Sequence, residues 1–251
     1  MRVALLSDIH GNSIALDAIL ADASDNGVMA YWVLGDLVAL GHDPVGVLER
    51  LARLPNARFI RGNTDRYVVT GDRPPPLIKE VGRNPELLAV FSEVTGTFAW
   101  TLGALSATGW FDWLTQLPIE LRVELLDGTQ FLGVHASPGK DDGQGICPDI
   151  SEDELIQVLN GCTAELICVG HTHLPVNRRV GKWHVVNLGS VSNPRYPDLR
   201  ASYVILDYTS NGYTIHHRRV DYNREQVVAL LKDLRHPGAN FIINHMRGLM
   251  K

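Results

Sequence analysis

The chain begins with MRVALLSDIHGN, residues 1–12, in which a short apolar run ends on an acid and an imidazole. Val3–Leu6 has the composition of a buried strand, and Asp8 and His10 follow it almost at once. Side chains two positions apart in an extended chain project to the same side. Ligands of open α/β sheets bind outside the carboxyl ends of the strands. This stretch therefore predicts a strand that delivers a carboxylate and an imidazole to the rim of a sheet.

Four later predicted strands also end on polar side chains that can bind a metal. In chain order these side chains are Asp36, then Asn63 and Asp65, then His135, and finally His171 and His173. Aspartate, histidine and asparagine without a thiolate suit Mn, Fe or Zn in a site of nitrogen and oxygen ligands. The set is larger than one ion needs, so it favours two metals that share a carboxylate. Such metal pairs stabilise the attacking and leaving oxygens of phosphoryl transfer.

The order of the predicted elements indicates an α/β fold. Helices over Ser13–Ala23 and Pro44–Leu54 alternate with the first three strands, which is typical of parallel βαβ units. Three later strand pairs, each joined by a short turn segment, predict antiparallel hairpins. We expect two sheets packed together with helices outside, and one domain over residues 1–251.

A segment at about 72–117 departs from this pattern and predicts a helical insertion over one edge of the fold or over the site. It begins near three consecutive prolines, residues 74–76, and contains Trp100, Trp110 and Trp113. These rings could pack against the body of the protein, line a lid or contact a second copy of the chain. A homo-oligomer therefore stays open at this stage.

Composition excludes several classes of protein. Hydrophobic residues make up 45% and charged residues 20% of the chain, as in ordinary globular domains. The formal net charge of −5, without a long basic run, argues against an extended nucleic-acid surface. No stretch approaches the roughly 20 apolar residues of a membrane span, and the N-terminus does not resemble a signal peptide. The three cysteines fit no disulfide framework, so we expect a cytoplasmic protein without a membrane partner.

Five short motifs together resemble the calcineurin-like metallophosphoesterases, most closely the small bacterial and archaeal phosphodiesterase branch. They are SDIHGN at 7–12, GDLVALG at 35–41, RGNTD at 61–65, VHASP at 134–138 and GHTH at 170–173, with GSVSNPR at 189–195 as a further match. The resemblance implies a four-layer αββα sandwich of two mixed sheets flanked by helices. It leaves the helical stretch at 72–117 uncovered.

The resemblance also implies a role for each of the predicted ligands. The first metal would be held by Asp8, His10 and His173, the second by Asn63, His135 and His171, and the bridge between them would be Asp36. The implied cofactors are two divalent transition metal ions, with manganese first and iron, zinc, cobalt or nickel as alternatives. The implied reaction is in-line attack of a metal-bridging hydroxide on a small phosphodiester or phosphomonoester of nucleotide or aryl type.

One position departs from the family pattern. Many members have a histidine directly after the asparagine of the third motif, where this chain has Thr64, which cannot act as an acid near neutral pH. His42 is a candidate for that catalytic role beside Asp36, although it could also be a solvated loop residue. Asn63 and Arg195 are candidate substrate-binding residues, and the guanidinium of Arg195 matches phosphate bidentately. Arg195 could equally be a surface arginine.

Two other functions compete with a metal-dependent phosphoric ester hydrolase. A degenerate member of the fold could act as a protein-binding scaffold without turnover, but such relatives lose metal ligands and this chain keeps seven competent ones. A metal-dependent nuclease would need a longer basic groove than this composition offers. The sequence therefore favours a hydrolase whose partner is a small phosphate ester.

Overall fold

Two five-stranded mixed sheets form the centre of the computed structural model, which describes residues 1–195 and 197–249. The first sheet has the order β10-β9-β1-β2-β3, with β1 (Arg2–Leu6), β2 (Ala30–Leu34), β3 (Ala57–Ile60), β9 (Ala201–Thr209) and β10 (Gly212–Val220). The second has the order β4-β5-β6-β8-β7, with β4 (Glu120–Glu124), β5 (Gln130–Val134), β6 (Leu166–Val169), β7 (Val176–Val180) and β8 (Trp183–Asn187).

Helices cover the outer faces of the sheets and fill the insertion. They are α1 (Ser13–Asp25), α2 (Pro44–Leu51), α3 (Asn63–Thr70), α4 (Ile78–Val81), α5 (Leu88–Thr108), α6 (Phe111–Thr115), α7 (Glu152–Leu159), α8 (Arg224–Asp233) and α9 (Ala239–Met246). Asn12 caps α1 by accepting a hydrogen bond from the backbone N–H of Ala15, and Pro44 begins α2. A short 3₁₀ turn, Pro85–Leu87, precedes α5.

Strand β1 shows why the sandwich has four layers. Its side chains alternate between two cores, because successive residues of a strand point to opposite faces. Val3 and Leu5 pack between the two sheets, whereas Ala4 and Leu6 pack against the helices outside the first sheet. A third apolar cluster lies between the second sheet and α7. The predicted α/β fold with two mixed sheets between helical layers is confirmed.

Several details differ from the sequence-based expectation. All three predicted hairpins form, but β9–β10 returns to the first sheet, where β9 pairs antiparallel with β1. Helices α3 and α9 are additional to the elements predicted from the sequence. Within the insertion, α5 and α6 are separate helices, because Gly109 ends α5 in a left-handed conformation with φ of 79°.

The tryptophans of the insertion pack within the protein. The Trp113 ring lies 5.4 Å from the Phe59 ring and 5.8 Å from the Trp110 ring, in edge-to-face arrangements. The Trp100 ring lies 4.6 Å from the His236 ring. Of the three alternatives for these rings, the structure therefore supports packing against the body. Assignment of residues 1–251 to one domain stays a prediction.

One stretch of the described residues, Pro85–Thr108, is long and apolar enough to cross a membrane by length and composition alone. Its mean hydropathy is 1.3, and 17% of it is buried within the protein. Two of its apolar side chains, Leu88 and Val90, are 54% and 49% exposed. Cytoplasmic localisation stays a prediction.

Candidate metal centre

The structure brings the seven predicted ligands together at the rim shared by the two sheets. They lie on the loops after β1, β2, β5 and β6 and at the first residue of α3. Ligand atoms of Asp8, His10 and His173 lie within 4.8 Å of one another, and the same holds for Asp8, Asp36 and His135. The fold therefore brings together the polar side chains that follow these strands, as the sequence predicts.

The backbone at this rim is strained. Of the seven predicted ligands, the five with left-handed φ angles are Asp8 (58°), His10 (48°), Asp36 (56°), His171 (68°) and His173 (61°). Residues other than glycine adopt this region uncommonly, and such strain clusters at functional sites. Backbone hydrogen bonds from Asp8 to Gly35 (3.1 Å) and from His10 to Asp36 (2.9 Å) hold two of these loops together.

The first ligand group consists of acceptor atoms that face one another. A carbonyl oxygen can only accept, so His10 donates from Nδ1 to Ala39 (3.1 Å) and His173 donates from Nδ1 to Asn193 (2.9 Å). In the neutral rings each Nε2 therefore has a free lone pair, yet the two Nε2 atoms lie 3.2 Å apart. Oδ1 of Asp8 lies 3.1 Å from Nε2 of His173 and is buried without a hydrogen-bond partner in the described chain. A cation would satisfy all three atoms.

The second group repeats this arrangement around Asn63. His135 donates from Nδ1 to the Leu34 carbonyl at 2.7 Å, and His171 donates from Nε2 to the Gly143 carbonyl at 2.8 Å. The other nitrogen of each ring then faces Oδ1 of Asn63, at 3.1 Å for His135 and 3.0 Å for His171. These donor sets fit a divalent cation of nitrogen and oxygen preference, with histidines oriented by carbonyls as in known metal sites.

Asp36 lies between the two groups. Its Oδ1 accepts a hydrogen bond of 2.9 Å from the backbone N–H of Thr64, which fixes the carboxylate plane. Its Oδ2 lies 3.7 Å from Nε2 of His10 and 3.4 Å from Nε2 of His135. Asp8 also reaches both groups, because its Oδ1 lies 3.9 Å from Nε2 of His135. Both carboxylates are therefore positioned to be shared.

Two buried carboxylates and His10 have the protonation states that metal ligands need, whereas His135 holds a proton that an ion would have to displace. Burial raises the pKa of Asp36, but His135 and His10 outweigh it and keep that carboxyl well below its ordinary value. The pKa of Asp8 is likewise lowered against burial, chiefly by His173. Burial lowers the pKa of His10 to about 4, so this ring is neutral. Burial also lowers the pKa of His135, but Asp36 and Asp8 overcome it and raise the value to about 10. A cation would displace the resulting proton from His135.

Asp65, which is not a ligand, ties two ligand loops together. It is buried, and its carboxylate accepts hydrogen bonds of 2.9 Å from the backbone N–H groups of Leu37 and Gly62. Gly62 must lack a side chain, because a Cβ atom there would lie 2.0 Å from Oδ1 of Asp36. The glycine thus makes room for the shared carboxylate.

The remaining predicted residues lie apart from these contacts. His42 is buried, so its alternative as a solvated loop residue is wrong, and its Nε2 lies 3.5 Å from Oγ of Ser13. Arg195 is exposed and lies two residues after Asn193, whose carbonyl orients His173. A proton-donating role for His42 and a phosphate-binding role for Arg195 stay predictions.

Sequence reasoning missed the groups that orient the ligands. Four backbone carbonyls fix the histidine rings, and a carbonyl has no residue-type signal. The stretch at 189–195 was recognised only as a motif. In the structure it lies against the loop after β1, where Val191 donates to Ser7 (3.1 Å) and Ser192 donates to Asp8 (3.1 Å) through backbone N–H groups. The motif therefore positions Asp8 and His173.

The geometry agrees with comparisons to known proteins. A family model, the calcineurin-like phosphoesterase superfamily domain, matches residues 1–211. The uncharacterized protein MJ0912 of Methanocaldococcus jannaschii is 30% identical over 237 residues, which cover 88% of each chain. A shorter match, 38% over 71 residues, is to a symmetrical bis(5'-nucleosyl)-tetraphosphatase of Pectobacterium carotovorum and covers 28% of this chain and 25% of that one.

Two solved structures share the fold over nearly the whole chain. The hypothetical protein PH1004 from Pyrococcus horikoshii OT3 has a TM-score of 0.80 at 22% identity, with 98% of this chain and 97% of that chain covered. A metallophosphoesterase from Sphaerobacter thermophilus has a TM-score of 0.75 at 24% identity, with 99% and 98% covered. Together with the family model, these findings confirm the resemblance: the chain belongs to the calcineurin-like phosphoesterase superfamily.

Proposed function

We propose that this protein hydrolyses small phosphate esters with two divalent transition metal ions. One observation carries the proposal. Lone-pair-bearing atoms face one another at 3.0–3.2 Å in two groups, and the Asp36 carboxylate contacts a histidine of each. Where the rings are neutral, a cation between the facing lone pairs would satisfy them, because no hydrogen lies between two acceptors. Manganese is the first candidate, with iron, zinc, cobalt or nickel as alternatives.

The residues divide into two ligand sets with a shared member. The first ion would be held by Asp8, His10 and His173, the second by Asn63, His135 and His171, and both by Asp36. When bound, a divalent pair supplies hydroxide at neutral pH and offsets charge on the phosphoryl oxygens. The carbonyls that accept from the histidines keep each ring in its ligand orientation.

The chain's other residues would handle substrate and proton. Arg195, exposed beside the loop that orients His173, would bind a phosphate oxygen through its guanidinium. Thr64 offers no proton to a leaving group, so hydrolysis should favour esters with good leaving groups, such as aryl esters. His42 is the proposed partial replacement as proton donor.

The substrate we propose is a small phosphodiester or phosphomonoester of nucleotide or aryl type. The partial similarity to a symmetrical bis(5'-nucleosyl)-tetraphosphatase supports the nucleotide alternative. The intact ligand set favours an enzyme over a protein-binding scaffold, which would have no need to keep strained, buried metal ligands.

The test is a metal-reconstitution assay with a variant of the shared ligand. The chelated protein is supplied in turn with Mn, Fe, Zn, Co, Ni and Mg, and p-nitrophenol release is followed from aryl mono- and diesters. We expect Asp36→Asn to lower kcat/KM by at least about 10²-fold, the order expected for losing a group that stabilises transition-state charge. The matched control is Asp17→Asn, an exposed carboxylate on α1. Metal binding without hydrolysis of any ester by wild-type protein would instead support the scaffold.

A further inference from the structure

A cavity of about 320 Å³ adjoins the metal centre and lies between α3, α5, α9 and the proline segment. Its wall at the first turn of α3 is formed by Asn63 and Thr64. We propose that this cavity holds one uncharged ring, an aryl group or a nucleobase, of the ester whose phosphate is at the metal centre. This inference rests on the proposed function and names the substrate class more closely.

The lining favours an uncharged, apolar group. Aromatic rings of Tyr67, Phe98 and Phe241 line the cavity, together with aliphatic side chains of the insertion such as Val90. Among the described residues lining it there is no lysine or arginine, and the one ionisable carboxylate is Glu93. A second phosphate group would therefore find no cation among the described lining residues, and it would face the Glu93 carboxylate. The rings of Tyr67 and Phe98 meet edge to face, with centroids 5.9 Å apart, and the Arg73 guanidinium lies 5.0 Å from the Phe98 centroid without lining the cavity.

The cavity is continuous with the residues that hold the centre. Asn63 presents Oδ1 to both His135 and His171, and the backbone N–H of Thr64 donates to Asp36. The Thr64 hydroxyl is buried and has no hydrogen-bond partner among the described residues. It is therefore free to donate to a polar atom of a ligand at the junction between the cavity and the centre.

The size of the cavity fits one ring better than a long chain. Small-molecule sites span about 300–1,000 Å³, and this one is at the lower end of that range. The insertion contributes Val90, Val94 and Phe98 from α5, and Phe241 and Ile242 come from α9. The helical insertion thus acquires a role that its sequence did not reveal, as one wall of a substrate-binding site.

The test compares two phosphonates that resist hydrolysis and differ by a ring. Binding of benzylphosphonate and methylphosphonate to the manganese-loaded protein is measured by calorimetry. We expect the benzyl compound to bind about tenfold tighter, as burial of an aromatic side chain of that size allows. Equal affinities, or no binding of either compound, would overturn the proposal. Octylphosphonate is the third probe, and tighter binding of octyl than of benzyl would also overturn the proposal in favour of an alkyl chain.

Two variants on the same helix assign the effect to the cavity. Val90 lines the cavity and is 49% exposed, so Val90→Glu introduces a charge there without disturbing the core. Leu88, 54% exposed and not a lining residue, gives the matched control Leu88→Glu. The tighter binding of benzylphosphonate over methylphosphonate should vanish in Val90→Glu and persist in Leu88→Glu. Its persistence in both variants would refute the assignment of the ring to this cavity.

The outcome separates this inference from the proposed function. Metal-dependent ester hydrolysis without a benzyl advantage would leave the function standing and remove the cavity proposal. The reverse result is tighter binding of benzylphosphonate that Val90→Glu abolishes, in a protein that hydrolyses no ester. It would support the cavity proposal and remove the proposed function.

Discussion

Removal of the Asp65 carboxylate should weaken both the fold and the metal centre. Its two oxygens accept from the backbone N–H groups of Leu37 and Gly62, each at 2.9 Å, and those residues adjoin Asp36 and Asn63. In Asp65→Ala both N–H groups would be buried without a partner. We therefore expect a lower free energy of unfolding and a looser ligand geometry.

The magnitude follows from counting the orphaned groups. Each buried N–H left unsatisfied costs about 1–3 kcal/mol, so two cost about 2–6 kcal/mol. The variant also loses the repulsion between Asp65 and Asp36, which offsets part of that cost. We expect a net loss of about 2 kcal/mol in the metal-free protein. Because residues that orient ligands typically contribute 10–100-fold to metal affinity, manganese should also bind about tenfold more weakly.

The loss of stability should depend on pH. Burial, followed by the charge of Asp36, raises the pKa of Asp65 from 3.8 to about 7 in the folded protein. A raised folded-state pKa means that the stability contributed by the protonated group is complete below pH 3.8 and is lost as the pH rises through 7. The difference between wild type and Asp65→Ala should therefore be larger at pH 5 than at pH 8.

The assay is urea unfolding of the metal-free protein at both pH values, with calorimetry of manganese binding at pH 7.5. The control is Glu154→Ala. Glu154 holds the same helix position in α7 as Asp65 holds in α3 and accepts from the backbone N–H of Ser151, but it is exposed and far from the ligands. The Glu154→Ala substitution should change the free energy of unfolding little and leave the manganese affinity unchanged. Matching unfolding midpoints and affinities in Asp65→Ala and Glu154→Ala would refute the reasoning.

Three further substitutions test the site. Gly62→Ala should lower manganese affinity at least about tenfold, because its Cβ would lie 2.0 Å from Oδ1 of Asp36; unchanged calorimetric titrations would contradict this. Arg195→Ala should raise KM about tenfold with kcat unchanged, as for a uniform phosphate contact, whereas a fall in kcat alone would argue for another role. His42→Ala should slow alkyl esters more than p-nitrophenyl esters by about 10²-fold if it donates a proton, and equal slowing across a leaving-group series would remove that role.

The sequence was most informative where local periodicity and local motifs decide the structure. The apolar run Val3–Leu6 and the turn residues of the hairpins predicted strands that the structure contains. Helix α3 was not predicted, because its first residues, Asn63 and Thr64, lie at the candidate site and its apolar residues repeat at helical spacing over only a short stretch. The pairing of β9 with β1 was not predictable, since it depends on a register set between residues about 200 positions apart.

The faces of α5 were equally hard to assign. The helix is apolar around most of its circumference, so its sequence does not show which side packs on the body. Its buried residues, among them Phe98 and Leu105, are identified only once α3 and α2 are placed beside it. The cavity beside Asn63 is a consequence of that packing and has no signature in the sequence.

The precision of the metal centre depends on the packing between the sheets, because the ligands come from both. Asp8 and Asp36 follow strands of the first sheet, whereas His135 and His171 follow strands of the second. The Leu34 carbonyl, in the first sheet, accepts from His135 across the interface.

The sheets approach closely at this point, since a Cβ atom on Gly133 would lie 2.8 Å from Cδ2 of Leu34. A larger side chain at position 133 would separate the sheets and hence the two carboxylates from their histidines. Because close-packed interiors transmit such strain, the apolar core between the sheets helps to set the geometry of the metal centre.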